Sequence, residues 1–138
     1  MDSPHLTGTL DHAITGVRTL MGAAMEGAET TSLRLAFDAL RDQWSAAERD
    51  SRDDGVGSAR RFEDVAATIY GDAFWPAIRA VSEGRDPLED LDRASEASRW
   101  ILRAHTAFVS QRPEAMTLCF RRAVNIVRDA ERERPAEA

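Results

Sequence analysis

Residues 62–81, FEDVAATIYGDAFWPAIRAV, carry the hydrophobic pattern that decides the fold. Apolar side chains recur there at steps of three and four, which is the period of a helix with one broad buried face. Gly71 and Pro76 lie inside this stretch, and proline cannot donate the backbone hydrogen bond that the carbonyl of Asp72 would accept. The pattern therefore predicts a third helix that is kinked or broken near Gly71–Pro76.

Four more helices are predicted around this stretch, each with the same three-and-four spacing. Gly16 and Gly22 weaken the first helix, which indicates that another helix packs closely against it. The predicted boundaries come from capping and turn residues. They are residues 9–26 for the first helix, a start at Thr30 or Thr31 for the second, a start at Ser58 and an end at Gly84 for the third, Asp86 as the cap of the fourth, and Pro113 at the start of the fifth.

No segment alternates polar and apolar residues over a useful length, so strands are not expected. Short connections between helices favour antiparallel neighbours. The sequence therefore predicts an all-α fold, an antiparallel helical bundle of about five helices. We expect a flexible N-terminus over residues 1–8, one helical-bundle domain over 9–134 and a disordered tail over 135–138.

Composition narrows the class of protein. The 138 residues are 43% hydrophobic and 30% charged, with a net charge of −6, which is typical of a globular domain. No apolar run is long enough for a membrane span and no secretory signal precedes the first helix, so a cytoplasmic location without membrane contact is expected. All 18 basic residues are arginine. GC-rich coding in a bacterium and selection against lysine modification both explain this absence of lysine.

Metal and phosphate motifs are missing. A di-iron bundle needs glutamate three residues before histidine, but Thr9 precedes His12 and Leu102 precedes His105. No glycine-rich phosphate loop follows a strand. The sequence therefore predicts no metal, no cofactor and no enzyme activity.

One pair of residues, His105 and Cys119, is a candidate for thiol chemistry. If the last two helices form a hairpin, residues whose numbers sum to about 223 lie side by side, which places His105 near Cys119 on the inner faces. A histidine beside a thiol can stabilise a reactive thiolate. The segment around His105 also resembles histidine phosphotransfer domains, but Phe108 and Val109 stand where those domains have lysine and glycine, so phosphotransfer is not predicted.

Aromatic residues near the predicted kink suggest a small-molecule pocket, although ordinary core packing is the favoured explanation for them. The candidate pocket residues are Tyr70, Phe74, Trp75, Trp100, His105 and Cys119.

Charge is distributed unevenly along the chain. Residues 99–128 hold six arginines and one acid, whereas residues 1–97 hold ten arginines and nineteen acids. The hairpin register places Arg103 close to Arg121. We therefore predict a basic patch on the outside of the last hairpin, formed by Arg99, Arg103, Arg121 and Arg128.

The favoured function is a non-catalytic module that acts by protein–protein interaction in a regulatory or adaptor role. Its expected partner is an acidic protein surface or a second copy of the chain, giving a homodimer. A small-molecule site in an apolar pocket beside the kink is the first alternative. Phosphate or nucleic-acid backbone binding through the arginine patch is the second, disfavoured by the net negative charge. Pairing of these arginines with acids of the same molecule would leave the patch without a binding role.

Overall fold

A computed structural model describes the backbone of residues 9–51 and 57–133 and the side chains of residues 9–44 and 62–131. The described ranges contain helices and connecting turns and no strand, so the predicted all-α bundle is confirmed. The predicted N-terminal segment 1–8, the tail 135–138 and the side chain of Ser58 lie outside this description. The helices are α1 Thr9–Met25, α2 Thr30–Ser51, α3 Gly57–Ser82, α4 Leu88–Val109 and α5 Pro113–Glu133.

Contacts between helices establish the up-and-down order. The hydroxyl of Thr30, the first residue of α2, is hydrogen-bonded at 2.5 Å to that of Ser82, the last residue of α3. The start of α2 therefore lies against the end of α3. Farther along the same pair, Arg41 of α2 binds Asp72 of α3, so these two helices are antiparallel. Each chain connection is only a few residues long, as expected for neighbours in a bundle.

Helix α3 is the centre of the molecule. It packs against all four other helices, whereas α1 and α2 make no close backbone approach to α4 or α5 within the described ranges. The apolar core is accordingly divided along α3. One part, between α1, α2 and the second half of α3, contains Val17, Leu20, Ala24, Leu33, Phe37 and Ile78. The other, between α3, α4 and α5, contains Phe62, Ala66, Ile69, Ala73, Ala94, Ala97, Ile101, Ala104 and Ala123.

Helix α3 continues through Pro76, so of the predicted kink or break the break does not occur. Proline removes one backbone donor, which costs the helix a single hydrogen bond at the carbonyl of Asp72. The residues that follow are tightly packed, with Ala77 and Ile78 fully buried. Burial of apolar surface on this scale offsets the loss of one hydrogen bond, and the helix is retained.

Two glycines allow helices to approach closely. A Cβ placed on Gly16 would lie 2.8 Å from Cδ1 of Leu40, and one on Gly71 would lie 2.6 Å from Cζ3 of Trp44. The prediction that a helix packs against α1 at its glycines is therefore confirmed at Gly16. It is wrong at Gly22, where a Cβ would meet no atom within 4 Å.

The first turn of α1 is held by carboxylates from α3. The Thr9 hydroxyl donates to Oδ1 of Asp64 at 2.6 Å, and the backbone N–H of Leu10 donates to Oε1 of Glu63 at 2.9 Å. The first N–H groups of a helix have no partner within the helix and carry a partial positive charge. Two carboxylates at this position therefore satisfy a donor and stabilise the helix start.

The fourth helix begins at Leu88, next to the predicted boundary, but its N-cap is Pro87 and not the predicted Asp86. The carboxylate of Asp86 accepts a hydrogen bond from the N–H of Leu88 at 3.0 Å. The N–H of Leu91 then donates to the carbonyl of Pro87 at 2.8 Å, which closes the first turn. The Asp86 carboxylate therefore binds the N–H of the first helical residue from the position before the N-cap.

The ends of α1, α3 and α4 share one turn geometry, in which a residue with positive φ closes the helix. At the end of α4, for example, the N–H of Arg112 donates to the carbonyl of Ala107 at 2.8 Å. Two of the turns use glycine and the third does not. The residues are Gly27 (φ 100°), Gly84 (φ 75°) and Gln111 (φ 60°).

We expect Gln111→Gly to raise the free energy of unfolding by about 0.5–1 kcal/mol. The left-handed conformation costs an L-residue about 1–2 kcal/mol, and part of that gain is lost because glycine has more freedom in the unfolded chain. Urea unfolding followed by circular dichroism measures the difference. Ser110→Gly is the matched control because Ser110 has φ −88°, and it should not be stabilising.

Candidate functional site

The four arginines of the predicted basic patch lie on α4 and α5. Arg99, Arg103, Arg121 and Arg128 are all exposed. Within the described part of the chain, no carboxylate lies within salt-bridge distance of any of them.

Trp100 joins the two helices of this patch. The guanidinium carbon of Arg103 lies 4.6 Å from the centroid of the Trp100 ring, and that of Arg122 on α5 lies 5.5 Å from it. Arg122 is exposed and, among the described residues, also has no carboxylate partner. The predicted basic patch contained Arg121 as the neighbour of Arg103 and did not contain Arg122. The hairpin register, in which the numbers of neighbouring residues sum to about 223, was enough to place Arg122 beside Trp100, because their numbers sum to 222.

The arginines of α2 and α3, by contrast, are paired with carboxylates. Arg41 holds Asp72 with two hydrogen bonds of 2.8 and 2.9 Å, and the hydrogen bonds to Asp72 raise the pKa of Arg41. This geometry is a bidentate pair, which orients both side chains. Arg34 pairs with Asp38 at 3.1 Å. Both arginines are therefore engaged within the chain.

Glu83 completes this set of paired charges. It accepts hydrogen bonds from Arg79 at 2.9 Å and from Arg85 at 2.8 Å. These bonds favour the ionised carboxylate and lower the pKa of Glu83.

A large groove lies beside Pro76, where the sequence analysis expected an apolar pocket. Its volume is about 1030 Å³. The expectation of an apolar lining is wrong, because charged side chains make up most of the described walls. These walls comprise Arg34, Phe37, Asp38, Arg41, Asp42, Asp72, Trp75, Pro76, Arg79, Glu83, Arg85, Ala130 and Glu131.

The predicted pocket aromatics do not converge on one site. Tyr70 contacts Phe74 at 4.7 Å between ring centroids, and burial raises the pKa of Tyr70. Trp75 stacks on Phe37 at 5.2 Å and lines the charged groove. Trp100 instead lies on the α4–α5 hairpin with the arginines.

His105 is exposed, so its predicted place on the inner face of α4 is wrong. The buried stripe of the helix follows Ile101, Ala104 and Ala107, each at most 5% exposed, which leaves His105 at the edge against Phe62, 5.6 Å between ring centroids. Cys119 is half-buried and packs against the α3–α4–α5 core. In the part of the chain that the structure describes, no hydrogen bond connects His105 to Cys119.

An apolar cleft that the sequence analysis did not predict lies at the α4–α5 turn. Its volume is about 440 Å³. The Phe62 ring lies 5.1 Å from that of Phe108 and 5.2 Å from that of Phe120, centroid to centroid. The cleft is lined by Phe62, Val65, Phe108, Gln111, Arg112, Pro113, Met116 and Phe120. No sequence signal marks it, because its walls come from three helices.

Across residues 9–44 and 62–131, whose side chains the structure describes, no group of three or more histidine, cysteine, aspartate or glutamate side chains is arranged to hold a metal ion. Among the helices in these ranges, none combines the length and apolar character that crossing a bilayer requires. Comparison of the chain with models of protein families, with curated proteins and with solved structures found no match.

Proposed function

We propose that this chain is a non-catalytic helical module that binds an acidic protein through the outside of its last hairpin. The supporting observation is a contrast between two sets of arginines. Those of the α2–α3 groove are paired with carboxylates, whereas those of the hairpin have no such partner among the described residues. An exposed cluster of one sign steers association with a partner of the opposite sign.

The proposed contact area, called the hairpin surface below, also contains apolar side chains. Leu102 and Leu118 are 64% and 52% exposed, although both lie on helices that have a buried face. Tryptophan and arginine are the residue types most often found at binding hot spots. The hairpin surface consists of Arg99, Trp100, Leu102, Arg103, Leu118, Arg121, Arg122 and Arg128.

The exposed leucines favour a protein over a nucleic acid. A phosphate backbone would bind the arginines but would leave Leu102 and Leu118 without an apolar partner. An acidic protein can pair with the guanidiniums and cover the leucines in one interface, whose centre is usually apolar and whose rim is polar.

A second copy of the chain is one protein that meets this description. Residues 1–97 carry nine more acids than arginines, whereas residues 99–128 carry five more arginines than acids. A basic hairpin on one copy would then face acidic helices on another. Such a contact joins two different surfaces, so it extends into a chain or ring of copies unless the geometry closes.

The test uses the double variant Arg103→Glu/Arg122→Glu as bait in affinity capture, quantified by mass spectrometry. The charge-matched control is Arg18→Glu/Arg85→Glu, which changes the net charge equally on exposed residues outside α4 and α5 and also removes the salt bridge between Arg85 and Glu83. We expect an acidic protein captured by the wild type and the control to fall at least about tenfold with the hairpin variant, since tenfold corresponds to about 1.4 kcal/mol.

Two further measurements separate the alternatives. Sedimentation of the chain alone at low and high salt reports self-association, which the hairpin variant should abolish if the partner is a second copy. Binding to poly-L-glutamate and to duplex DNA is compared as salt is raised. Tighter binding to DNA, with a steep loss of affinity in salt, would replace the protein partner by a nucleic acid. Equal capture by wild type and hairpin variant would reject the hairpin surface altogether.

A further inference from the structure

We propose that the apolar cleft at the α4–α5 turn binds a small amphipathic carboxylic acid, with an apolar chain or ring inside the cleft and the carboxylate at Arg112. This proposal is independent of the hairpin surface, because none of the cleft residues belongs to that surface.

The size and walls of the cleft suit an apolar ligand group. Its volume of about 440 Å³ falls within the range of roughly 300–1,000 Å³ that is usual for small-molecule sites. Phe62 stacks on Phe108 with an angle of 14° between the rings, which produces a flat aromatic wall. Met116 contributes a flexible side chain, a residue type that adapts to the shape of a ligand. A chain of methylene groups or an aromatic ring fits these walls.

The rim supplies a positive charge. Arg112 lines the cleft and is exposed, and it has no salt bridge within the described part of the chain. Helix α5 begins directly after it, at Pro113, so the positive end of the helix dipole lies at the same rim. Glu114, the acid of this first turn, does not line the cleft. An anionic group is therefore favoured at this rim over a neutral one or a cation.

Gln111 is a second polar group at the rim. It adopts φ 60°, a conformation for which the equivalent turns after α1 and α3 use glycine. Its carboxamide can donate a hydrogen bond to one carboxylate oxygen while the Arg112 guanidinium binds the other. A strained residue at a cleft rim is a feature that often accompanies binding sites.

The large groove between α2 and α3 does not fit the same ligand. Its arginines are already bound to Asp38, Asp72 and Glu83, so a carboxylate would have to displace an existing partner. In the cleft, by contrast, Arg112 can bind a ligand without breaking a salt bridge of the described residues.

The experiment is an NMR titration of the full chain, labelled with ¹⁵N, with sodium decanoate and with 1-decanol as an uncharged probe of equal length. We expect chemical-shift changes at Gln111, Arg112 and Met116, and affinity for decanoate about fivefold to tenfold above that for decanol, the gain typical of one charge-assisted hydrogen bond. Arg112→Gln should lower decanoate affinity to that of decanol and leave decanol binding unchanged.

Two more variants locate the site. Met116→Glu places a charge in the cleft and should weaken both probes at least tenfold, with circular dichroism and urea unfolding confirming that the variant is folded. Arg121→Gln removes an exposed arginine of the same helix outside the cleft and should leave both affinities unchanged. Equal affinity of the wild type for the two probes, no effect of Arg112→Gln, or shift changes confined to the hairpin surface would each overturn the proposal.

Discussion

Gly71→Ala is expected to lower the free energy of unfolding by about 1–2 kcal/mol, measured by urea unfolding. The added Cβ would lie 2.6 Å from Cζ3 of Trp44 and 3.2 Å from Cε1 of Phe37. Both rings are only 1% exposed, so neither can move without disturbing the core. Overpacking of this kind costs about 1–3 kcal/mol or more, which exceeds the gain of about 1 kcal/mol that alanine brings to a helix.

Gly22→Ala is the matched control, because no atom lies within 4 Å of the added Cβ. It should raise the free energy of unfolding by up to about 1 kcal/mol through helix propensity alone. If Gly71→Ala were neutral or stabilising like this control, the close contact between α2 and α3 would be incorrect.

A double variant tests the cause of the Gly71 effect. Trp44→Phe removes the part of the indole that the new methyl group would meet, and it loses no hydrogen bond to a described residue, since Nε1 of Trp44 has no such partner. The double variant Trp44→Phe/Gly71→Ala should therefore be more stable than the sum of the two single effects predicts, by about 1 kcal/mol or more. Additive effects would assign the destabilisation to another contact.

Asp64→Ala is expected to lower the free energy of unfolding by about 2–3 kcal/mol. Asp64 is 1% exposed and accepts a hydrogen bond from the Thr9 hydroxyl at 2.6 Å. Loss of the carboxylate leaves a donor at the start of α1 without its partner, and hydrogen bonds to charged groups contribute about 1.5–3 kcal/mol. Urea unfolding measures the total effect, and hydrogen exchange shows whether the first turn of α1 loses protection before the rest.

Glu63→Ala provides the comparison for Asp64. Glu63 accepts from the N–H of Leu10 at 2.9 Å but is only half-buried, so water can replace the carboxylate. Its loss should cost about 1 kcal/mol or less. Equal effects of the two substitutions would mean that burial of Asp64 contributes nothing to the docking of α1.

Local sequence signals predicted the helices well and the candidate sites only in part. Asp86 marks the start of α4 because its carboxylate bonds a backbone group two residues away, an interaction that needs no other helix. The exposure of Arg103 was predictable because Arg103 stands two residues after the buried Ile101 and so points to the opposite face of α4. The break at Pro76, one of the two predicted alternatives, does not occur because the packing around Ala77 and Ile78 offsets one lost hydrogen bond.

The residues that the sequence analysis missed depend on contacts across helices. Arg122 belongs to the hairpin surface because Trp100 of the other helix lies beside it. His105 is exposed because the faces of α3 and α5 that cover α4 leave its edge open, a fact that the period of one helix cannot supply. The cleft exists because side chains from α3 and the α4–α5 hairpin leave space between them.

The bundle was thus determined by the sequence itself, since three-and-four spacing, caps and short connections act within one helix or between consecutive helices. The tertiary structure alone decided that α3 is the central helix, that the arginines near Pro76 are paired and that those of the last hairpin have no described carboxylate partner. Pairing depends on distances of a few ångströms between atoms far apart in the chain. Such distances are set by how helices pack, which no single segment encodes.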